Sequence, residues 1–234
     1  MKPALVVPVY NHPQVATVLD GARVLGLPII VVDDGSTDET STVLAGIAKD
    51  CDITLLRHPR NQGKGAALLS GFTTAMTLGC DAALTIDADG QHHPADGARL
   101  LAAAAETRSL VLGSRQGMSG QHVPWTSRFG RGFSNFWVFV CGGPKVSDSQ
   151  SGFRLYPLPE SLNLGVFARR YQFEVEILVL AKGHGLTIQE VLISVAYQPP
   201  GGRVSHFRPW RDFWRNSQTF SRLLRRRLRR LLLS

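Results

Sequence analysis

Residues 84–94, LTIDADGQHHP, run from an apolar segment into two aspartates one residue apart, Asp87 and Asp89. Carboxylates this close repel each other unless something neutralises them. Alternate residues leaving a strand can bend so that both carboxylates converge, and a hard cation between them removes the repulsion. All-oxygen ligands select Mg²⁺ or Mn²⁺, and Mg²⁺ usually keeps coordination positions open for substrate phosphates. The plain alternative is a pair of solvated loop acids, since a bare D-x-D is common. Its place at the end of a buried segment favours a cation with a diphosphate beside it.

Four further stretches carry polar chemistry, the first three at the ends of strand-like segments. VVDDGSTD (31–38) brings Asp33 and Asp34, which a turn and helix cap over Gly35, Ser36 and Asp38 would not require. HPRNQGKGAA (58–67) places Lys64 between two glycines before a helix. It is neither G-x-G-x-x-G nor a G-x-x-x-x-G-K-[ST] phosphate loop. A helix N-terminus there could favour an anion, and a plain turn explains the glycines equally well. GSR (113–115) and DSQSGFR (148–154) carry Arg115 and Arg154, with Arg128 and Arg131 between them. A single arginine is most simply a surface ion pair. Several near a metal–diphosphate site suggest an anion clamp, because the guanidinium fork holds phosphate at two points.

The elements that must position these groups alternate regularly. Short apolar runs at 4–9, 28–34, 53–58, 83–87 and 109–114 read as buried strands. Helical patterns separate them, one over Val15–Leu25, one after Ser36 or Thr37 with Asp38 and Glu39 in its first turn, an Ala-rich one ending near Gly79, and one opened by Pro94. Strands apolar on both faces with intervening helices imply a mostly parallel sheet, covered on both sides, that binds ligands at its carboxyl edge. After residue 115 the alternation fails. Residues 116–127 read as a loop, 128–141 as an aromatic-rich helix, 148–154 as a loop, 173–184 as a helix and 186–197 as a strand. The Pro- and Gly-rich stretch 199–206 reads as a mobile loop.

The chain has 234 residues, 44% hydrophobic and 19% charged, which excludes wholesale disorder. Cys51, Cys80 and Cys141 show no CxxC spacing, so neither a disulfide framework nor a zinc site is indicated and a reducing compartment is expected. No run of about 18 apolar residues suggests a membrane-spanning helix. The net charge of +8 is local: residues 203–234 hold ten Arg and one Asp, and the rest of the chain is one charge negative. Wound as a helix at about 100° per residue, Trp210, Phe213, Trp214, Phe220, Leu224, Leu228, Leu231 and Leu232 fall within an arc of about 120°, with the arginines from Arg211 onward outside it. Such a helix reads as lying in a membrane interface. Packing of the stripe on the domain is the rival, and nucleic-acid binding is disfavoured by the neutral body.

In order, PVYN, VVDDGSTD, RNQGKGAAL, DADGQH, GSR and DSQSGFR resemble the family 2 glycosyltransferases, most nearly the polyprenol-phosphate (dolichol-phosphate) mannosyl- and glucosyltransferase branch, over residues 3–197. The resemblance implies a GT-A fold: α/β, a Rossmann-like mostly parallel sheet with helices on both faces, here followed by C-terminal amphipathic helices. It implies a nucleotide-sugar donor, a Mg²⁺ or Mn²⁺ ion and inverting displacement at the anomeric carbon. Carried over by position, Pro8, Tyr10, Asn11, Asp33 and Asp34 would line the donor's nucleoside pocket, with Lys64 near it. Asp87, Asp89 and Gln91 would hold the metal, the two aspartates also facing the donor. Arg115, Arg131, Ser134 and Arg154 would bind the acceptor, with Arg128 a rival to Arg131 across a variable loop, and Asp148 would belong with Asp89, Arg115 and Arg131 to the catalytic set. His12 replaces an acidic residue usual after Tyr-Asn, and Glu190-Val-Leu-Ile lacks the usual proline.

The resulting expectation is a glycosyltransferase domain over 1–198, the loop 199–206, and a basic amphipathic tail over 207–234 that holds the protein peripherally on the inner face of the cytoplasmic membrane. The acceptor would be lipid-linked, most simply a polyprenyl phosphate, already an anion and in need of no general base. Were it a hydroxyl, a carboxylate must take its proton, with Asp148 the first candidate and Glu174 the second. A glycosyltransferase acting on a non-phosphate lipid and a silent membrane-bound scaffold are the alternatives.

Overall fold

A computed structural model describes residues 1–12, 14–50, 52–115, 125–195 and 209–232. The strands are β1 (Pro3–Val9), β2 (Ile29–Asp33), β3 (Ile53–Arg57), β4 (Ala82–Thr85), β5 (Ser109–Arg115), β6 (Arg154–Pro157) and β7 (Thr187–Ile193). The helices are α1 (Val15–Ala22), α2 (Thr40–Asp50), α3 (Lys64–Thr77), α4 (Gly97–Ala103), α5 (Trp125–Val140), α6 (Glu160–Asn163), α7 (Phe173–Gly183) and α8 (Pro209–Leu232). The strands form one sheet in the order β3-β2-β1-β4-β6-β5-β7. Neighbouring strands run parallel except at β6, which is antiparallel to both β4 and β5.

Strand periodicity divides the core. On β1, Ala4 and Val6 face one side and Leu5, Val7 and Val9 the other; on β2, Ile30 and Val32 oppose Ile29 and Val31. One layer gathers Val15, Leu19, Leu44 and Leu100 from α1, α2 and α4. The other gathers Phe72, Phe173, Leu178, Val138 and Phe220 from α3, α7, α5 and α8. Each fully buried aliphatic side chain contributes roughly 1.5–3 kcal/mol by leaving water. Burial on both faces explains the unbroken apolar runs.

The structure departs from the sequence reading at several places, among them the strand read over 186–197, which as β7 ends at Ile193. Helix α2 starts at Thr40, where Asp38 Oδ1 accepts the Thr40 N–H at 3.0 Å, so Asp38 precedes the helix and caps it in place of Ser36 or Thr37. Helix α5 begins at Trp125, earlier than its aromatic run suggests. Strand β6 was not expected, because four residues ending in proline show no periodicity of their own; β4 and β5 supply its ladder. The loop assigned to 199–206 lies outside the described residues, as does most of that assigned to 116–127.

Helix α8 packs against the domain through Phe220, at one edge of its apolar arc, and through Leu223 beside that edge. Phe220 and Leu223 are buried, and the Phe220 ring stacks on Trp137 with centroids 6.1 Å apart. Arg222 pairs with the buried Glu176 at 2.9 Å. Trp214, Leu228 and Leu232 stay 67%, 51% and 84% exposed. The arc is therefore split, one edge on the domain and the other facing outward. Among the described residues no helix is long and apolar enough to cross a membrane.

Candidate active site

The polar stretches meet along one edge of the sheet because six of the seven strands point the same way. Strand β6 starts at that edge, Arg154 lying opposite Thr85 at the end of β4, so DSQSG arrives beside DADGQ.

At the β1–β2 end, Asn11 adopts φ 48° and exchanges two hydrogen bonds with Thr37, while its N–H donates to Ser36 Oγ at 2.9 Å. Pro8 lies buried in β1 and Tyr10 is half-buried just beyond it. Asp33 and Asp34 are both buried. Asp33 Oδ1 accepts the Ser36 N–H at 2.8 Å. Asp34 contacts His58 Nδ1 at 2.7 Å and accepts the N–H groups of Gln62 (2.9 Å) and Gly63 (2.7 Å). These acids thus shape the turns around the expected nucleoside pocket, and Asp34 fixes the entry to α3.

That entry sets Lys64. Its Nζ lies 2.6 Å from Asp87 Oδ1 and also pairs with Glu174, so it belongs to the D-x-D motif as well as to the donor side. Burial opposes the lysine's charge, but the two carboxylates outweigh it and raise its pKa. Burial likewise opposes ionisation of Asp87, and Lys64 overrides it, holding that carboxyl below its usual value. Gly152 makes the pairing possible: a Cβ there would stand 2.3 Å from Asp87 Oδ2 and 2.5 Å from Lys64 Nζ. His92, pushed down to about 4 chiefly by burial, is neutral beside Asp87 at ordinary pH.

Asp87, a quarter exposed, and Asp89 sit in the turn after β4, where Gly90 adopts φ 67° and Asp89 Oδ1 accepts the Gln91 N–H at 3.1 Å. Gln91 is buried. Two carboxylates and an amide form an all-oxygen donor set that fits Mg²⁺ or Mn²⁺. Among the described residues there is no cluster of three His, Cys, Asp or Glu.

Opposite stands Arg115, whose Nε and Nη2 bond Asp148 at 2.5 and 2.9 Å in a fork. Asp148 is fully buried; burial works against its charge, and the Arg115 fork lowers its pKa in spite of that, with Arg131 adding to the effect. Arg131 is half-buried one turn before Asn135 on α5. Asn135 holds the same loop, donating to Ser147 O at 2.8 Å and accepting the Ser149 N–H at 2.9 Å. Residues four apart share a helix face, so Arg131 faces the Asp148 loop. The Arg128 side chain lies outside the described residues.

Two expected acceptor contacts sit differently. Arg154 is fully buried and its guanidinium donates to the carbonyls of Ser151, Glu174 and Ser149 at 2.7, 2.8 and 2.8 Å. It braces the loop from inside and has no surface to offer an acceptor. Ser134 is also fully buried, its hydroxyl accepting from Gln150 Nε2 at 2.8 Å. Sequence reasoning missed Gly152, whose importance arises only from the approach of Asp87 and Lys64, and His92, masked by the neighbouring His93.

Residues 4–157 match the family described as glycosyl transferase family 2. The chain is 32% identical, over 82% of its length and 85% of the relative's, to a UDP-N-acetylglucosamine–dolichyl-phosphate N-acetylglucosaminyltransferase of Methanococcus voltae. It is 30% identical, over 81% and 76%, to a polyprenol monophosphomannose synthase of Mycolicibacterium smegmatis. Its fold is similar to that of glucosyl-3-phosphoglycerate synthase from Mycobacterium tuberculosis, crystallised with Mn²⁺, UDP and glucosyl-3-phosphoglycerate: TM-score 0.68 at 23% identity, covering 95% of this chain and 78% of that one. With this fold, this arrangement of motifs and these relatives, the chain belongs to glycosyl transferase family 2 and is a GT-A glycosyltransferase resembling the polyprenol-phosphate branch.

Proposed function

We propose that this glycosyltransferase moves a sugar from a nucleotide-sugar donor to a polyprenyl phosphate, with inversion, at the cytoplasmic face of a membrane. The observation that carries the acceptor class is the Arg115–Asp148 fork. A hydroxyl acceptor needs a base, and Asp148 is buried, held ionised and occupied by Arg115. Glu174 is likewise engaged by Lys64. A phosphate acceptor brings its own anion and asks only for cations to orient it, which Arg115 and Arg131 supply. The names of the dolichyl- and polyprenol-phosphate relatives support the same class.

Asp87, Asp89 and Gln91 would hold Mg²⁺ or Mn²⁺, which supplies Lewis-acid stabilisation of the charge that builds on the leaving diphosphate. The rest falls to the chain's own residues. The acids Asp33 and Asp34 maintain the donor-side turns, Lys64 keeps Asp87 ionised and oriented, and the arginines hold the acceptor oxyanion in line with the anomeric carbon. Trp214, Leu228 and Leu232 form the outward edge of α8 that would rest on anionic lipid, with the exposed Arg225 flanking it and Arg226 and Arg229 farther round the helix.

The test is metal-dependent binding of GDP-mannose, UDP-glucose, UDP-N-acetylglucosamine and UDP-galactose, followed by transfer from the bound donor to polyprenyl phosphate or to the corresponding alcohol. Transfer to the phosphate alone is expected. Equal transfer to the alcohol would overturn the acceptor class.

A further inference from the structure

Two consecutive residues at the end of β5, Ser114 and Arg115, pair with two consecutive residues of the loop before β6, Ser147 and Asp148. The Arg115–Asp148 fork is one rung. The other joins Ser114 Oγ and Ser147 Oγ at 2.6 Å. Glu190, on the neighbouring strand β7, closes the assembly: its Oε1 accepts from the Ser147 N–H at 2.9 Å and from Ser147 Oγ at 2.8 Å. The hydroxyl roles follow from proton count. A carboxylate only accepts, so Ser147 donates its single hydroxyl proton to Glu190, and Ser114 donates to Ser147.

The register explains why Glu190 can do this. Strand β7 pairs in parallel with β5, Glu190 opposite Leu112, so a side chain two residues short of Ser114 reaches forward to the loop that Ser114 touches. Glu190 itself is exposed, so it adds little packing, and its two hydrogen bonds fall on one residue. That residue precedes Asp148, which sets the orientation of the Arg115 guanidinium. On the far side, Asn135 holds Ser147 and Ser149 from α5. Asp148 is thus the middle of a three-residue span pinned at both ends, once from β7 and twice from the helix that carries Arg131.

We propose that Glu190 is a positioning residue for acceptor binding: through Ser147 it fixes Asp148, and through Asp148 it fixes the fork of Arg115. The proposal rests on the assignment of Arg115 to the acceptor, and it adds a group from a strand that otherwise takes no part in the site. Glu190 acts as a double acceptor at one oxygen, so an amide oxygen can replace it and a methyl group cannot.

Two readouts separate this proposal from the assignment it rests on. The ¹H–¹⁵N signal of Arg115 Nε–H needs no substrate. Its bond to Asp148 slows exchange with water, and Glu190→Ala is expected to speed that exchange about tenfold, the scale of one lost charge-assisted bond. Glu190→Gln should stay near the wild-type rate. In transfer to polyprenyl phosphate, Glu190→Ala should raise the acceptor KM about tenfold with the donor KM unchanged, and Glu190→Gln should restore it. Should Glu190→Ala not fold, Ser147→Ala removes the hydroxyl bridge alone and is expected to shift both readouts in the same direction. Unchanged Arg115 exchange and acceptor KM in the folded variants would overturn the proposal. Faster Arg115 exchange in an enzyme whose wild type never uses polyprenyl phosphate would uphold the positioning role and overturn the acceptor class instead.

Discussion

Lys64 Nζ and Asp87 Oδ1 lie 2.6 Å apart, joining the first residue of α3 to the turn after β4 across a space that only glycine at position 152 leaves open. The three positions come from RNQGKG, DADGQ and DSQSGFR, so the ion pair depends on a glycine nearly ninety residues from its lysine.

Removing that lysine strands two carboxylates. Lys64→Met should destabilise the fold by about 3–5 kcal/mol, because Asp87 and the buried Glu174 lose their shared cation. Gly152→Ala should disturb the same pair by collision and weaken donor binding. Denaturant unfolding and donor titration measure the two effects; a Lys64→Met variant as stable as wild type would show that the pair contributes nothing.

Asp89→Ala should abolish transfer and metal-dependent donor binding while the unfolding curve stays in place, since Asp89 lies in a half-exposed turn at the sheet edge. Isothermal titration with Mn²⁺ and donor reads the binding. Full activity in excess EDTA would remove the metal from the reaction.

Arg131→Ala should raise the acceptor KM far more than the donor KM. Arg131→Lys should recover only part of the loss, because a point charge lacks the guanidinium fork. Steady-state kinetics with each substrate varied separates the outcomes, and equal losses on both substrates would assign Arg131 a structural role.

The Asp148 carboxyl is held below its ordinary value in the folded protein by Arg115, against the opposing effect of burial. The unfolded chain therefore binds the proton first as pH drops. The stabilisation is fully present above the unfolded carboxyl's pKa of about 3.9 and is lost as pH falls through the folded value. Unfolding free energy measured from pH 6 downward should decline steeply in that acid window, and Asp148→Asn should flatten the decline.

The two edges of the α8 arc should separate in experiment. Phe220→Ala removes a ring stacked on Trp137 and should cost about 3–5 kcal/mol of stability. Trp214→Ser with Leu228→Ser should leave unfolding unchanged and weaken binding to anionic liposomes, with high salt deepening the loss by screening the arginines. Liposome sedimentation unaffected by the double variant would place the membrane contact elsewhere.

The local sequence by itself determined the elements that bury both faces. Ala4–Val9, Ile29–Val32 and Leu110–Leu112 are apolar at every or nearly every position, and such runs separated by amphipathic helices have one economical arrangement, a covered parallel sheet. It also determined where chemistry would gather, because parallel strands deliver Asp33, Asp87 and Arg115 to one edge. Only the tertiary structure decided what each group does there. Arg154 and Arg115 are alike in sequence, each closing a short polar motif, DSQSGFR and GSR, with a cation. Yet β6 inserts between β4 and β5 and draws Arg154 inward onto three carbonyls, leaving Arg115 at the open edge. The arc on α8 likewise marks which residues want to leave water, but the aromatic rings of α5 determine that Phe220 leaves it against the domain while Trp214 stays outside. Periodicity is a property of one segment; the partner that covers it depends on the rest of the chain.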